Sequence, residues 1–205
     1  MAQEKWDKNQ FKLDKIKKRV QEHLDKIRYE HTLGVMYTSA ALAMRYQTEE
    51  NEELLEKALV AGLLHDCAKC IPSEKKIKLC EKYNLKISEA ERKNPGLLHA
   101  KLGAYIASVK YEITDKEILD AIEFHTTGRP EMTLLDKIVY IADFMEPNRK
   151  EAPNLAQVRK LAFENIDECL YVILRDSLVY LQTRQEVIDP MTEQTYEYYK
   201  EVLKK

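Results

Sequence analysis

Six residues in the middle of the chain are of types that bind divalent metal ions through nitrogen or oxygen. They are four of the five histidines and two aspartates: His31, His65, Asp66, His99, His125 and Asp143. Mixed imidazole and carboxylate ligation without thiolate favours Fe, Mn, Co or Zn over soft-metal chemistry. Because Asp66 directly follows His65, these two side chains can reach one place. The pattern predicts a buried metal centre that performs hydrolytic chemistry.

Six ligands are too many for one tetrahedral zinc ion and suit two ions that share a bridging carboxylate. We expect Asp66 to be the bridge. One ion would then be bound by His31, His65, Asp66 and Asp143, and the other by Asp66, His99 and His125. Two ions ~3.5–4 Å apart would lower the pKa of a shared water and neutralise charge on a transferring phosphoryl group. The predicted nucleophile is therefore a metal-bridged hydroxide.

The four cysteines do not indicate a further metal site. Cys67 and Cys70 have the spacing of a zinc half-site, but the chain has no second cysteine pair to complete a tetrahedral site. We interpret these two residues, with Cys80 and Cys169, as reduced thiols.

The elements that must position the six ligands are predicted to be helices. The chain has 205 residues, of which 44% are hydrophobic, and only 5 glycines and 6 prolines. Apolar residues recur at helical spacing almost throughout, and β-branched runs are rare. We predict an all-α fold, a single domain of residues 1–205. Its metal-binding core would span about residues 24–150, with C-terminal helices over about residues 153–205 packed on it.

Helix signals place the ligands on these elements. A helix over residues 25–46 carries His31, and a helix beginning at Thr48 runs into His65, so that Lys69 shares a face with His65. The capping-box pattern Thr114-x-x-Glu117 predicts a helix that ends at His125. Residues 132–146 form another predicted helix, on which Asp136 and Asp143 share one face.

The charge balance bears on the partners. With 33 basic and 35 acidic residues, the formal net charge is −2, which gives no bias toward nucleic acids or anionic membranes. No apolar stretch approaches the ~20 residues that span a bilayer, and Met1 to Lys18 contain no secretory apolar region. We expect a cytoplasmic protein that binds a nucleotide substrate, neither nucleic acid nor membrane, and leave a homodimer open.

Several segments around the ligands resemble the YqeK-type branch of the HD superfamily of metal-dependent phosphohydrolases. The order His, His-Asp, Asp is similar to the superfamily, and the two intervening histidines are similar to its dinuclear branch. The matching segments are Arg28-Tyr29-Glu30-His31-Thr32, His65-Asp66-Cys67-Ala68-Lys69, His125-Thr126-Thr127-Gly128, Asp136-Lys137-Ile138-Val139-Tyr140-Ile141-Ala142-Asp143 and Glu146-Pro147-Asn148-Arg149. The resemblance runs from about residue 24 to about residue 192.

The resemblance implies an all-helical hydrolase that binds iron and cleaves diadenosine tetraphosphate symmetrically to two ADP. It implies catalytic roles for Asp66, Lys69 and Arg149, with Lys69 and Arg149 contacting the polyphosphate. The other candidate substrate contacts are Arg28, Thr126, Thr127, Gly128, Arg129 and Asp136. The metal would be iron, with Mn, Co or Zn as alternatives.

Two other functions remain open from the sequence. The same ligands would serve an HD-type nucleotidase or deoxynucleotide phosphohydrolase that acts on mononucleotides. The domain could also bind metal or nucleotide without turnover, but a purely structural metal site needs no phosphate-binding lysine or arginine.

Overall fold

The computed structural model describes residues 2–184 and 187–204, and within these ranges the protein is built from helices without a strand. The α-helices are α1 (Ala2–Gln21), α2 (Lys26–Tyr46), α3 (Leu54–Leu64), α4 (Ser73–Lys82), α5 (Glu89–Lys93), α6 (Leu98–Tyr111), α7 (Lys116–Glu123), α8 (Leu134–Met145), α9 (Leu155–Glu164), α10 (Ile166–Thr183) and α11 (Pro190–Val202). The predicted all-α fold is confirmed. Among the described helices, none has the length and apolar character that a bilayer crossing requires.

The core that supports the ligands is formed by α2, α3 and α8, which pack against one another. Fully buried side chains such as Leu63, Leu64 and Ile141 fill the space between them. Helices α2 and α3 approach closely at Gly62, where an added Cβ would lie 2.9 Å from the Cα of Met36. A glycine is therefore needed at this crossing, since any side chain would push the two helices apart.

Several helix starts follow the local signals in the sequence. Asp25 caps α2, and its carboxylate accepts a 2.8 Å hydrogen bond from the Arg28 N–H. Ser88 forms a capping box with Glu91 at the start of α5. Asn165 separates α9 from α10 and caps the latter through the N–H of Glu168. At these positions the side chain of Asp, Ser or Asn accepts a hydrogen bond from the first turn, which fixes where the helix begins.

Two predicted helix starts are wrong. Thr48 opens a short 3₁₀ helix (Glu49–Asn51), and α3 begins only at Leu54. The side chain that caps α7 belongs to Asp115 and not to Thr114, because the Asp115 carboxylate accepts from the N–H groups of Glu117 and Ile118. Asp is as good an N-cap as Thr, so the capping preference alone does not separate two neighbouring candidates.

The C-terminal helices contact the part of the chain that follows His125. Gly128 has φ +66°, in the left-handed region that favours glycine, and a Cβ there would lie 2.7 Å from Cγ2 of Thr195 on α11. The Tyr199 hydroxyl of α11 accepts a 3.0 Å hydrogen bond from the N–H of Met132. This packing is the arrangement expected of a single domain, which stays a prediction.

Candidate metal centre

The six predicted ligands converge at one place, and most of them lie at helix ends. His31 lies in α2, His65 and Asp66 directly follow α3, His99 lies in the first turn of α6, His125 lies two residues past α7, and Asp143 lies in the last turn of α8. Side chains at helix ends can turn toward a common point without breaking the backbone hydrogen bonds of a helix.

Asp66 lies between two pairs of histidines. Its Oδ2 is 3.4 Å from Nε2 of His65 and 3.8 Å from Nε2 of His31. Its Oδ1 is 3.1 Å from Nε2 of His99 and 3.8 Å from Nε2 of His125. Each carboxylate oxygen of Asp66 therefore faces its own pair of histidines. The residue is only 2% exposed.

Asp143 adds a second carboxylate beside one of these pairs. Its Oδ1 is 3.0 Å from Nε2 of His31 and 3.9 Å from Nε2 of His65. The ligand atoms form two groups of three, and within each group all atoms lie within 4.8 Å of one another. One group comes from His31, His65 and Asp143, and the other from His65, Asp66 and His125. His99 adjoins the second group, since its Nε2 is 3.1 Å from Nε2 of His125.

The orientation of each imidazole is fixed through its Nδ1 atom. In three rings Nδ1 bonds to the backbone carbonyl three residues earlier, at 2.5 to 2.7 Å: His65 to Gly62, His99 to Gly96, and His125 to Ile122. A carbonyl oxygen only accepts, so Nδ1 must carry the proton and Nε2 keeps its lone pair. In their neutral forms, all three rings therefore present the lone pair of Nε2 on the side of Asp66.

Several of the atoms that face the centre have close neighbours but form no hydrogen bond of good geometry with the described residues. They are Nε2 of His31, Nε2 of His65 and Oδ1 of Asp66, all buried. Unpaired buried polar atoms are costly and rare in folded proteins. A metal ion would supply the missing partner, and the residues present therefore fit a metal site.

Electrostatics keeps two of the central groups, Asp66 and His125, in the forms that bind metals. Burial acts to raise the pKa of Asp66, but the facing His65, His99 and Lys69 lower it well below its usual range. Burial lowers the pKa of His125 to about 3, helped by the neighbouring His65 and His99. An ionised carboxylate and a neutral imidazole are the species that bind a cation without first losing a proton.

Three predicted cations surround this cluster. Arg28 Nη1 is 2.8 Å from Oδ2 of Asp66, and Arg149 Nη2 is 3.1 Å from Oδ1 of Asp143. Lys69 Nζ is 3.2 Å from Nε2 of His99. The expectation that Lys69 continues the helix of His65 is wrong, because α3 ends at Leu64 and a turn brings Lys69 to the centre.

A cleft of about 560 Å³ opens beside the cluster on the side of Asp143. Its walls include His125, Thr126, Phe144 and Arg149. The volume is within the range of small-molecule pockets. Two of the predicted substrate contacts, Thr126 and Arg149, are thus placed where a ligand next to the metal ligands would lie.

Four other predicted contacts are engaged in structural bonds. Arg129 donates to Oδ2 of Asp136 at 2.7 and 2.9 Å, and Asp136 also caps α8 with Thr133. The Thr127 hydroxyl donates to the carbonyl of Gly128, which packs on α11. These contacts favour a structural role for Asp136 and Arg129.

Glu146 is a site residue that the sequence prediction did not include. It is 1% exposed, and its Oε1 lies 3.1 Å from Nδ1 of His31. Its Oε2 accepts a 2.7 Å hydrogen bond from the N–H of Asn148, and a Cβ on Gly34 would overlap this carboxylate. The signal available in the sequence was the segment Glu146-Pro147-Asn148-Arg149, but nothing in it links Glu146 to a histidine 115 residues earlier.

Comparison with known proteins decides the family. Residues 28–148 match the HD domain. The chain belongs to the HD domain family. Hydrolases of this family depend on metal ions, and the His/Asp cluster lies within the matched range. The resemblance drawn from the sequence segments is confirmed.

Relatives cover almost the whole HD-domain chain. A symmetrical bis(5'-nucleosyl)-tetraphosphatase of Bacillus subtilis is 37% identical over 177 residues, which are 86% of this chain and 91% of that protein. One of Staphylococcus aureus is 31% identical over 189 residues, 91% of this chain and 94% of the relative. A crystal structure of an HD superfamily hydrolase from Clostridium acetobutylicum, described as involved in NAD metabolism, has a TM-score of 0.86 at 36% identity. The alignment covers 94% of this chain and 97% of the Clostridium acetobutylicum chain.

Proposed function

We propose that the protein is a metal-dependent hydrolase that cleaves diadenosine tetraphosphate, and related dinucleoside polyphosphates, symmetrically into two nucleoside diphosphates. The observation that carries the proposal is the position of Asp66 between two histidine pairs, next to a cleft and three cations. Relatives named for this activity match the chain over most of its length.

The proposed cofactors are two divalent transition-metal ions, with iron as the first candidate and Mn, Co or Zn as alternatives. One would be held by His31, His65, Asp66 and Asp143, and the other by Asp66, His99 and His125. Bound ions of this kind make water a stronger nucleophile at neutral pH and neutralise charge on a phosphoryl group.

The side chains that surround the ligands would bind and orient the substrate. A tetraphosphate chain carries about four negative charges, and burying it without cations would be very costly. Lys69 and Arg149 lie on opposite sides of Asp66, on the His99 side and the Asp143 side. We assign the polyphosphate contacts and the screening of the departing diphosphate to these two residues, and part of the pocket wall to Thr126.

The proposed partners are nucleotides and neither nucleic acids nor membranes, since the formal net charge of −2 gives no general attraction to polyanions. A cytoplasmic location would suit this substrate and the four free thiols. A homodimer remains open.

Product analysis tests the proposed function. Protein loaded anaerobically with iron or manganese is expected to convert diadenosine tetraphosphate to ADP alone, and Asp66→Asn is expected to lose this activity. ATP plus AMP would mean that a different bond is cleaved. A marked preference for nucleoside monophosphates would establish the nucleotidase alternative in place of the proposal.

A further inference from the structure

Lys76 is a buried lysine without an ionic partner. Its residue surface is only 4% exposed, and no carboxylate among the described residues forms an ion pair with it. The other lysines in the middle of α4, Lys75 and Lys78, are exposed. Lysines are almost never buried unless they are paired, because removing an ammonium group from water is costly.

The position of Lys76 directs it toward the candidate metal centre. It lies in the first turn and a half of α4, which follows the turn that carries Asp66 and Lys69. Helical side chains lean toward the N-terminus of their helix, and for Lys76 this is the end of α4 that adjoins the turn. Helix α4 also packs on α6, whose first turn contains His99.

The electrostatic surroundings of Lys76 agree with this position. Burial lowers its pKa, the charge of Lys69 lowers it further, and Asp66 opposes both effects. Two ammonium groups that repel each other beside a single carboxylate leave an excess of positive charge. The start of α4 adds the positive end of the helix dipole, because Pro72 provides no side chain to cap the N-terminal N–H groups, and the acidic residue of this turn, Glu74, is exposed to solvent.

Packing alone does not require a lysine here. An apolar side chain of similar length would fill the same space without the desolvation cost. The cost is offset if an anion binds beside Lys76, as phosphate oxygens do at paired cations.

We propose that Lys76 and Lys69 form a phosphate subsite on the His99 side of the metal centre, which binds the phosphates of one nucleoside diphosphate half of the substrate. This inference rests on the proposed function. Arg149, on the Asp143 side, would serve the other half. Cations on both sides of Asp66 would place the middle of a tetraphosphate at the centre, so that each product keeps two phosphates.

The test compares Lys76→Met with the matched control Lys75→Met, which removes the same charge from the neighbouring exposed position. In metal-loaded protein, Lys76→Met is expected to raise the KM for diadenosine tetraphosphate by about tenfold, the loss of one charged hydrogen bond. It is also expected to reduce the rise in Tm that inorganic pyrophosphate causes in the wild type. Without ligand, its Tm should equal or exceed that of the wild type, and Lys75→Met should match the wild type in every measurement.

Three results would overturn the subsite. They are an unchanged KM and pyrophosphate response in Lys76→Met, a lowered Tm of that variant without ligand, and equal effects in Lys75→Met. Failure of the proposed function is distinguishable. A wild type that does not cleave diadenosine tetraphosphate, yet shows a pyrophosphate response that depends on Lys76, would retain the anion subsite and contradict the assigned substrate.

Discussion

At the scale of single residues, the hydrogen bonds on the far side of each imidazole determine what the centre can bind. Three rings donate to backbone carbonyls, but His31 faces the carboxylate of Glu146. A carboxylate partner makes an imidazole a more basic ligand than a carbonyl partner does. The His31 side of the centre is therefore expected to bind a cation more strongly than the His99 side.

Replacement of Glu146 by Gln tests this role. The amide keeps an oxygen for Nδ1 of His31 but removes the charge, so we expect the affinity of metal-depleted protein for Mn²⁺ or Co²⁺ to fall by about 10–100-fold. Competition with a chelator of known affinity measures it. The control is Asp136→Asn, because Asp136 is also a buried carboxylate but pairs with Arg129. This variant should lower the stability of the protein without lowering its metal affinity. Equal metal affinity in Glu146→Gln and wild type would remove Glu146 from the site.

The sequence contained the ligands but not the residues that support them. His31 to Asp143 could be found because ligand chemistry is a property of residue type and order. Glu146 and Lys76 could not, because their roles depend on burial and on contacts between distant segments. Arg129 and Asp136 were predicted as substrate contacts, and the structure pairs them with each other, a contact that the sequence did not indicate.

At the scale of elements, the centre depends on how closely α2 and α3 pack. Gly62 is the point of contact with Met36, and its carbonyl also accepts the hydrogen bond from Nδ1 of His65. One residue thus sets both the helix spacing and the orientation of a ligand. Side-chain caps mark several helix starts, whereas α3 ends at Leu64 without a breaker residue, so the turn that follows could not be predicted from the sequence.

Gly62→Ala should therefore affect stability and metal binding together. A Cβ 2.9 Å from Met36 Cα forces the helices apart, which we expect to lower the free energy of unfolding by about 1–3 kcal/mol. Urea unfolding of metal-depleted protein measures this loss. Gly103→Ala in α6 is the matched control, since its Cβ would meet its first neighbour at 3.5 Å, and it should be neutral or raise stability by up to about 1 kcal/mol. Similar unfolding free energies for the two variants would contradict the importance of the α2–α3 contact.

At the scale of the whole molecule, distant segments meet at one charged centre. Ligands from residue 31 to residue 143 surround Asp66, and α11 packs on the loop that follows His125. The all-α class followed from helical periodicity and few glycines. The packing of α11 on Gly128 could not be derived from the sequence, because surface helices of mixed polarity give no signal for their partner.

The central claim is that Asp66 lies between two metal ions. Anomalous X-ray scattering from crystals of the protein loaded anaerobically with iron or manganese measures it directly. We expect two peaks in each chain, about 3.5–4 Å apart, with one carboxylate oxygen of Asp66 directed at each. A single peak, or peaks away from Asp66, would contradict the account.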